Sequence, residues 1–206
     1  MKNDQWQETE IKFFINNLYL LEKRVKNIGA VLLQERTHEL NLRFDTTDLK
    51  LTNQFKVLRL RQDQSIHLTF KGPADPSSEV SVRQEIEFEV SDLASARQFL
   101  EALGFQVTIT YEKYRTTYSF GNCEIMLDKM PYGNFVEIEG PDLSSIKNIA
   151  SNLNLDWKNR IKLSYLAIFN QLKEKFKLTA TNLLFSEFEN CKYSIEELFH
   201  SINNEK

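Results

Sequence analysis

The sequence predicts an α+β fold in which eight antiparallel strands close into a barrel with a charged interior, covered by helices and followed by a C-terminal helical extension. About eight segments alternate charged and apolar residues with the period of two that is typical of strands. Nearly every one of these segments mixes acids and bases on its charged face, and amphipathic helical stretches separate some of them. Eight antiparallel strands can close around side chains or around one small ligand.

The predicted strands are short segments in which charged and apolar residues take turns. In the first segment, Glu8, Glu10 and Lys12 share one face, while Ile11 and Phe13 share the other. The segments that follow in chain order are ELNLRFD, KVLRLRQ, SIHLTFK, SVRQEIEFEV, YEKYRTTY, CEIMLDKM and NFVEIE. Turn signals such as GP at 72–73, GN at 121–122 and PYG at 131–133 separate several of them.

Four stretches have the apolar spacing of amphipathic helices. The first, NLYLLEKRVKNIGA, ends at Gly29, and the second, SDLASARQFLEALGF, has Ser91 as its N-cap and Gly104 as its stop. A third helix is predicted over about residues 143–153, and a fourth begins near Arg160 and continues through Leu172.

The end of the chain differs from the rest. From about Thr179 it contains two short amphipathic pieces, and the run from Ser194 to Glu197 fits a capping box. We therefore divide the chain into a barrel domain at residues 1–175 and a helical extension at residues 176–206, which packs on the barrel or on a partner. The apolar character of the extension leaves a homodimer open.

Composition excludes several classes of protein. The 206 residues are 41% hydrophobic and 27% charged, an ordinary globular balance, and the net charge of −3 gives no sign of nucleic-acid binding. No segment approaches the roughly 20 apolar residues of a membrane span, and the N-terminus lacks the apolar core of a signal peptide. Cys123 and Cys191 are isolated thiols without metal-ligand spacing. We expect a cytoplasmic protein with reduced cysteines.

The recurrence of a charged face on nearly every strand indicates whether these faces point into the barrel or out of it. One charged strand face usually faces solvent, but here such a face recurs on nearly every strand, including Asn41, Arg43 and Asp45 of ELNLRFD. The apolar faces need cover, which the amphipathic helices can provide. We therefore expect the charged faces inside. Desolvation costs roughly several kcal/mol for each buried ion that is not paired. We therefore expect a polyanion and a divalent cation to bind inside the barrel and pair with the charges that remain.

The residue types indicate the chemistry of this interior. Five carboxylates are hard oxygen donors that suit Mg²⁺ or Mn²⁺: Glu8, Glu10, Asp128, Glu137 and Glu139. Five bases are donors to phosphate oxygens: Lys12, Arg59, Arg61, Lys71 and Arg115. Acids for a metal and bases for phosphates, in one tunnel, predict a site for a metal–triphosphate complex.

These motifs resemble the CYTH domain, the family of triphosphate tunnel metalloenzymes. The run Glu8-x-Glu10-x-Lys12 is similar to the ExExK signature of that family. The later elements occur in the family's order, over roughly residues 6–172: Arg59-x-Arg61, Lys71, Arg83-x-Glu85-x-Glu87, Lys113-x-Arg115, Asp128 and Glu137-x-Glu139. The resemblance implies an eight-stranded tunnel that handles a triphosphate with Mg²⁺ or Mn²⁺.

The resemblance also implies roles for single residues. The five carboxylates would hold metal, and the five bases would bind phosphates. One more base is expected near the C-terminal helix, where Arg160 and Lys162 both qualify. Arg83 and Lys113 are expected in the tunnel as phosphate ligands or as salt-bridge partners. Lys12, Glu85 and Glu87 are the candidate catalytic residues, with Glu85 or Glu87 positioning a water.

Three functions remain open from the sequence, all with a small-molecule triphosphate and without nucleic acid or membrane. The first is hydrolysis of a phosphoanhydride bond in tripolyphosphate or in a nucleoside or thiamine triphosphate. The second is the reaction of class IV adenylate cyclases, which convert ATP to cyclic AMP and pyrophosphate. The run LDKMPYGNFVEIEGP is similar to chains that carry this label. The third is a polyphosphate- or nucleotide-binding module without turnover, against which the complete set of acids argues.

Overall fold

The computed structural model describes residues 6–189, 191, 193, 195 and 197, and it confirms the predicted barrel. The eight strands are β1 (Gln7–Phe14), β2 (Val31–Asp45), β3 (Val57–Gln62), β4 (Ile66–Lys71), β5 (Ser81–Glu89), β6 (Gln106–Phe120), β7 (Cys123–Met130) and β8 (Gly133–Glu139). All neighbours are antiparallel, and the closed order around the barrel is β1-β5-β4-β3-β2-β6-β7-β8. In this order β1 and β2 lie on opposite walls.

Helices cover the barrel, and two of them end as predicted. The helices are α1 (Leu18–Asn27), α2 (Lys50–Asn53), α3 (Leu93–Ala102), α4 (Leu143–Asn152), α5 (Tyr165–Phe176) and α6 (Phe185–Phe188). Gly29 and Gly104 follow the ends of α1 and α3 with φ of +86° and +90°, the left-handed conformation that glycine adopts most easily. None of the described helices is long and apolar enough to cross a membrane.

Two helix starts differ from the prediction. The N-cap of α3 is Asp92 rather than Ser91, because the Asp92 carboxylate accepts a hydrogen bond from the Ser95 N–H. The fourth predicted helix begins at Tyr165, not near Arg160. Ile161 forms an antiparallel bridge with Lys12, which holds the backbone before α5 extended.

The apolar faces of the strands look outward, under the helices. Ile11 and Phe13 of β1 pack in one buried cluster with residues of α1 and α4. A second cluster, under α5, includes Met130 and Phe135, which share the inner strand faces with Asp128 and Glu137, so this cluster fills one end of the barrel interior. A third cluster joins Leu60 of β3 to Leu100 of α3 on the outside. Phe88 of β5 is an exception, since 54% of it remains exposed. Burial of these faces accounts for the inward orientation of the charged faces.

Asp45 departs from the predicted interior set. A register shift between Arg43 and Phe44 interrupts the pairing of β2 with β6 just before Asp45. The Asp45 carboxylate then accepts hydrogen bonds from the backbone N–H groups of Leu51 and Thr52, and so fixes the short helix α2. Its role is that of a local cap rather than a tunnel residue.

The chain after α5 returns to the barrel. Leu183 forms a parallel bridge with Tyr111 of β6 and is fully buried in the cluster under α5. Phe188 of α6 belongs to the same cluster. The predicted domain boundary at 175/176 falls at the last turn of α5. Of the predicted capping box, Ser194 and Glu196 lie outside the described residues.

Candidate functional site

The charged residues of β1 lie inside the barrel. Glu8, Glu10 and Lys12 are each at most 6% exposed, although they alternate with the outward-facing Ile11 and Phe13. Such complete burial of ionic groups is costly unless each charge is paired or receives a ligand. The pairing pattern therefore shows where the interior is already satisfied and where it is not.

One wall of the barrel is acidic. Glu10 of β1 faces Glu139 of β8 in register. Glu8 and Glu85 also lie close enough to Glu139 to affect the pKa of its carboxyl group. Burial, together with Glu8, Glu10 and Glu85, raises the pKa of Glu139 to about 8. Burial and Glu8 raise the pKa of Glu85 to about 7, against the effect of Lys71. We call Glu8, Glu10, Glu85 and Glu139 the acidic wall.

Bases compensate part of the acidic wall. Lys71 Nζ donates to Glu8 Oε1 at 2.5 Å and is 3.1 Å from Glu85 Oε2, and Arg83 Nε donates to Glu8 Oε2 at 2.9 Å. Burial alone would raise the pKa of Glu8, but Lys71 and Arg83 outweigh it and lower that pKa to about 2. Across residues 6–189, by contrast, no ion pair or side-chain hydrogen bond reaches Glu139.

A second group of carboxylates is held by bases on β1 and β6. Arg115 donates to Asp128 Oδ1 at 2.7 Å and also to Glu137, and Lys12 Nζ is 2.9 Å from Glu137 Oε1. Lys113 Nζ donates to Asp128 Oδ2 at 3.1 Å. A cation bound by Asp128 or Glu137 would have to displace one of these bases.

Arg59 and Arg61 of β3 form the opposite, basic side of the interior. Glu87 of β5 accepts from Arg59 Nη2 at 3.3 Å and from Arg61 Nη2 at 3.0 Å, so one carboxylate serves two guanidinium groups. Thr69 Oγ1 also donates to Glu87, at 2.6 Å. Tyr111 Oη accepts from Arg59, and the nearby bases lower the pKa of this phenol although burial would raise it.

Arg160 and Lys162 are not brought into this interior. Arg160 lies over the ring of Trp157 and donates to the backbone carbonyls of Trp157 and Glu79. Lys162 is exposed and donates to the carbonyl of Ser78. Both side chains are therefore bonded to the loop before β5 rather than to the ionic residues of the interior.

Several interior residues were not singled out as site residues from the sequence. Glu39 is 2% exposed, and Lys113 and Arg115 lower its pKa to about 2 against the effect of burial. Tyr165 donates to Asp128 Oδ2 at 2.8 Å and lies beneath the ammonium groups of Lys12 and Lys113. Glu39 shares the strand alternation of Asn41 and Arg43, so the sequence pattern could have placed it in the interior. No local sequence feature indicated that Tyr165 would reach the interior.

The acidic wall has the chemistry of a divalent cation site. Carboxylate oxygens are the donors that Mg²⁺ and Mn²⁺ prefer, and the raised pKa of Glu139 and Glu85 shows a crowding of acids that a cation would relieve. No three described His, Cys, Asp or Glu side chains are gathered closely enough to hold a metal ion as they stand. Glu8 and Glu10 are drawn instead towards Lys71, Lys12 and Arg83.

The fold and its ionic interior define a protein of the triphosphate-tunnel class. The chain belongs to the CYTH domain family, whose model matches residues 7–146.

Relatives and solved structures agree with this assignment. A Methanocaldococcus jannaschii protein, provisionally named an adenylate cyclase, is 28% identical over 173 residues, which cover 78% of this chain and 97% of that protein. The structure of a Vibrio parahaemolyticus protein with the same provisional name is 25% identical, has a TM-score of 0.71, and covers 80% of this chain and 98% of its own. A Hippeastrum protein described as having a dominant triphosphatase activity is 17% identical, with a TM-score of 0.60 and coverage of 79% and 95%.

Proposed function

We propose that this protein hydrolyses a phosphoanhydride bond of a triphosphate, with Mg²⁺ or Mn²⁺ as cofactor. The observation that carries the proposal is the division of one closed interior into an acidic wall on β1, β5 and β8 and a basic side on β2 and β3. A bound metal–triphosphate complex presents both charges that such an interior lacks. The substrates considered are inorganic tripolyphosphate, a nucleoside triphosphate and thiamine triphosphate.

Glu8, Glu10 and Glu139 of the acidic wall would hold the cation. When bound, the ion would neutralise phosphate charge and acidify a water. Glu85, whose pKa of about 7 lies near the operating pH, is suited to accept a proton from that water. Glu87 is committed to Arg59 and Arg61, so it positions these bases rather than the water.

The bases would bind the phosphates and stabilise the charge that develops on the leaving group. Arg59, Arg61 and Lys71 lie on β3 and β4, and Lys12 reaches in from β1. Asp128 and Glu137 keep Lys12, Lys113 and Arg115 oriented inside the barrel. In this proposal Asp128 and Glu137 act mainly through these bases.

Phosphate release tests the hydrolase proposal. We expect release from tripolyphosphate, ATP, GTP or thiamine triphosphate with Mg²⁺ or Mn²⁺, and a loss of at least about 100-fold in Glu8→Gln. Glu174→Gln, an exposed change on α5, is the matched control and should keep the activity. Release from no substrate above the Glu8→Gln level, with either metal, would contradict the proposal.

Cyclisation of ATP is the second candidate, favoured by the names of the Methanocaldococcus and Vibrio relatives. The same interior would hold the triphosphate while the 3′-hydroxyl attacks the α-phosphorus and pyrophosphate leaves. Chromatography of the products of labelled ATP separates the candidates. Cyclic AMP supports cyclisation, whereas ADP or AMP without cyclic AMP supports hydrolysis; tight binding without turnover would favour a binding module.

A further inference from the structure

Two guanidinium groups face one another on the wall opposite β1. Arg43 of β2 and Arg59 of β3 are direct partners in the antiparallel register, an arrangement that places like charges side by side. Arg59 is compensated, because it contacts Glu87, Thr69 and Tyr111. The guanidinium of Arg43 has no ion pair and no hydrogen bond with any residue that the structure describes.

Unpartnered polar atoms concentrate at the same place. Asn41, the next inward residue of β2, is 0% exposed, and both polar atoms of its side chain lack a partner among the described residues. The Nε atoms of Arg43 and Arg59 are likewise buried and without a hydrogen-bond partner within that part of the chain, whereas Arg61 Nε lies 3.3 Å from Asp63 Oδ2. Buried polar groups are nearly always satisfied, so these atoms, most of which are N–H donors, indicate a missing ligand.

The charges around this group identify the ligand as an anion. The neighbouring carboxylates are already used, since Glu87 serves Arg59 and Arg61 and Asp45 caps α2. Burial lowers the pKa of Arg43, and the nearby Arg59 and Arg83 lower it further. Such surroundings disfavour a cation unless an anion joins them.

We infer that Asn41 and Arg43 complete, with Arg59, a phosphate subsite on the β2 wall. This inference rests on the proposed function for the nature of the anion, which is a terminal phosphate of the substrate. Because β2 lies opposite β1 in the closed order, the subsite holds the phosphate furthest from the acidic wall. Arg43 supplies a planar fork for two phosphate oxygens, and the Asn41 amide supplies a third donor.

A binding measurement without metal separates this role from a structural one. The probe is tripolyphosphate in EDTA, followed by isothermal titration calorimetry. We expect Arg43→Met to weaken binding by about 10- to 100-fold and Asn41→Leu by about 3- to 10-fold. Arg43→Lys keeps the charge without the fork and should fall between the wild type and Arg43→Met. Arg97→Met, an exposed change on α3, is the control and should bind as the wild type does.

The stability of the ligand-free protein gives an independent readout. Removing an uncompensated charge opposite Arg59 should leave the Tm of Arg43→Met equal to or above that of the wild type. A structural arginine would instead lower the Tm and leave the affinity of the folded protein unchanged. Weaker binding at an undiminished Tm therefore supports the subsite.

Failure of the subsite and failure of the proposed function are distinguishable. Equal affinities of Arg43→Met and wild type, with active hydrolysis, overturn the subsite alone. Weaker binding by Arg43→Met in a protein that turns over no triphosphate supports the subsite and contradicts the hydrolase proposal. A wild type that does not bind tripolyphosphate overturns the subsite, whatever its activity.

Discussion

Glu10 and Glu139 lie directly opposite one another in the register of β1 and β8, inside the barrel. Two residues further along the same strand pair, Lys12 faces Glu137, and these opposite charges form an ion pair of 2.9 Å. The same two strands therefore bring together one repulsive and one attractive pair. The repulsive pair leaves the acidic wall short of positive charge, and this shortage makes the wall suited to a cation.

The first prediction concerns the pH dependence that Glu139 imposes. Its pKa is about 8 in the folded protein and about 4.5 when unfolded, so the folded state holds the extra proton between these values. Stability contributed by this group is complete below about pH 4.5 and is lost as the pH rises through 8. Glu139→Gln should therefore be more stable than the wild type at about pH 8.5, by roughly 1 to 3 kcal/mol, and similar to it at about pH 4.5.

Urea unfolding in EDTA at the two pH values measures this difference. Glu174→Gln, which changes an exposed carboxylate of α5, controls for general charge effects. An equal difference at both pH values would mean that folding does not raise the pKa of Glu139.

The second prediction concerns metal binding by the acidic wall. At pH 8, Mn²⁺ or Mg²⁺ in excess should raise the Tm by several degrees, because a ligand that binds only the folded state stabilises it. Glu10→Gln should remove most of this rise, since it takes away one oxygen donor, while Glu174→Gln should keep it. Electron paramagnetic resonance of free Mn²⁺ measures the binding itself. Equal Mn²⁺ binding by Glu10→Gln and wild type would exclude Glu10 as a ligand.

The third prediction concerns the buried network around Asp128. This carboxylate is fully buried and accepts from Lys113, Arg115 and Tyr165. Asp128→Asn leaves two buried bases short of a partner and should cost about 3 to 5 kcal/mol in the free energy of unfolding.

The exposed pair of Arg97 and Glu101 on α3 provides the comparison. Glu101→Gln breaks an ion pair of 2.8 Å, but both side chains are exposed, so stability should hardly change. Chemical denaturation of both variants at pH 7 measures the contrast. Similar losses of unfolding free energy in the two variants would show that the buried contacts of Asp128 stabilise the protein no more than an exposed ion pair does.

The fourth prediction concerns Glu39, a buried carboxylate that lies 3.5 Å from Lys113 and 3.7 Å from Arg115 of β6. Its pKa is lowered to about 2, so its contribution to stability is present above about pH 4.5 and is lost as the pH falls through about 2. Glu39→Gln should cost roughly 2 to 3 kcal/mol at pH 7, and the cost should shrink towards pH 2.

Urea unfolding at pH 7 and at about pH 3 follows this difference. Glu35→Gln, an exposed carboxylate four residues earlier in β2, is the matched control. A cost that is the same at about pH 3 as at pH 7 would assign the effect to packing rather than to charge.

Most of the fold could be predicted from the sequence because strand alternation is a local property. The period of two in QETEIKFF decides which side chains share a face, whatever the tertiary structure. The same reasoning placed Glu8, Glu10 and Lys12 together. It also located Gly29 and Gly104, since their left-handed conformations reflect the local backbone.

The sequence by itself determined which ionic residues share the inner faces of the strands, because alternation is written into the order of the residues. Only the tertiary structure decided which of them meet. Strand register placed Arg43 opposite Arg59 and Glu10 opposite Glu139, whereas Arg160 contacts Trp157 and the carbonyl of Glu79 instead of the interior. Register and closure depend on contacts between residues far apart in the chain, and the spacing within one strand carries no information about them.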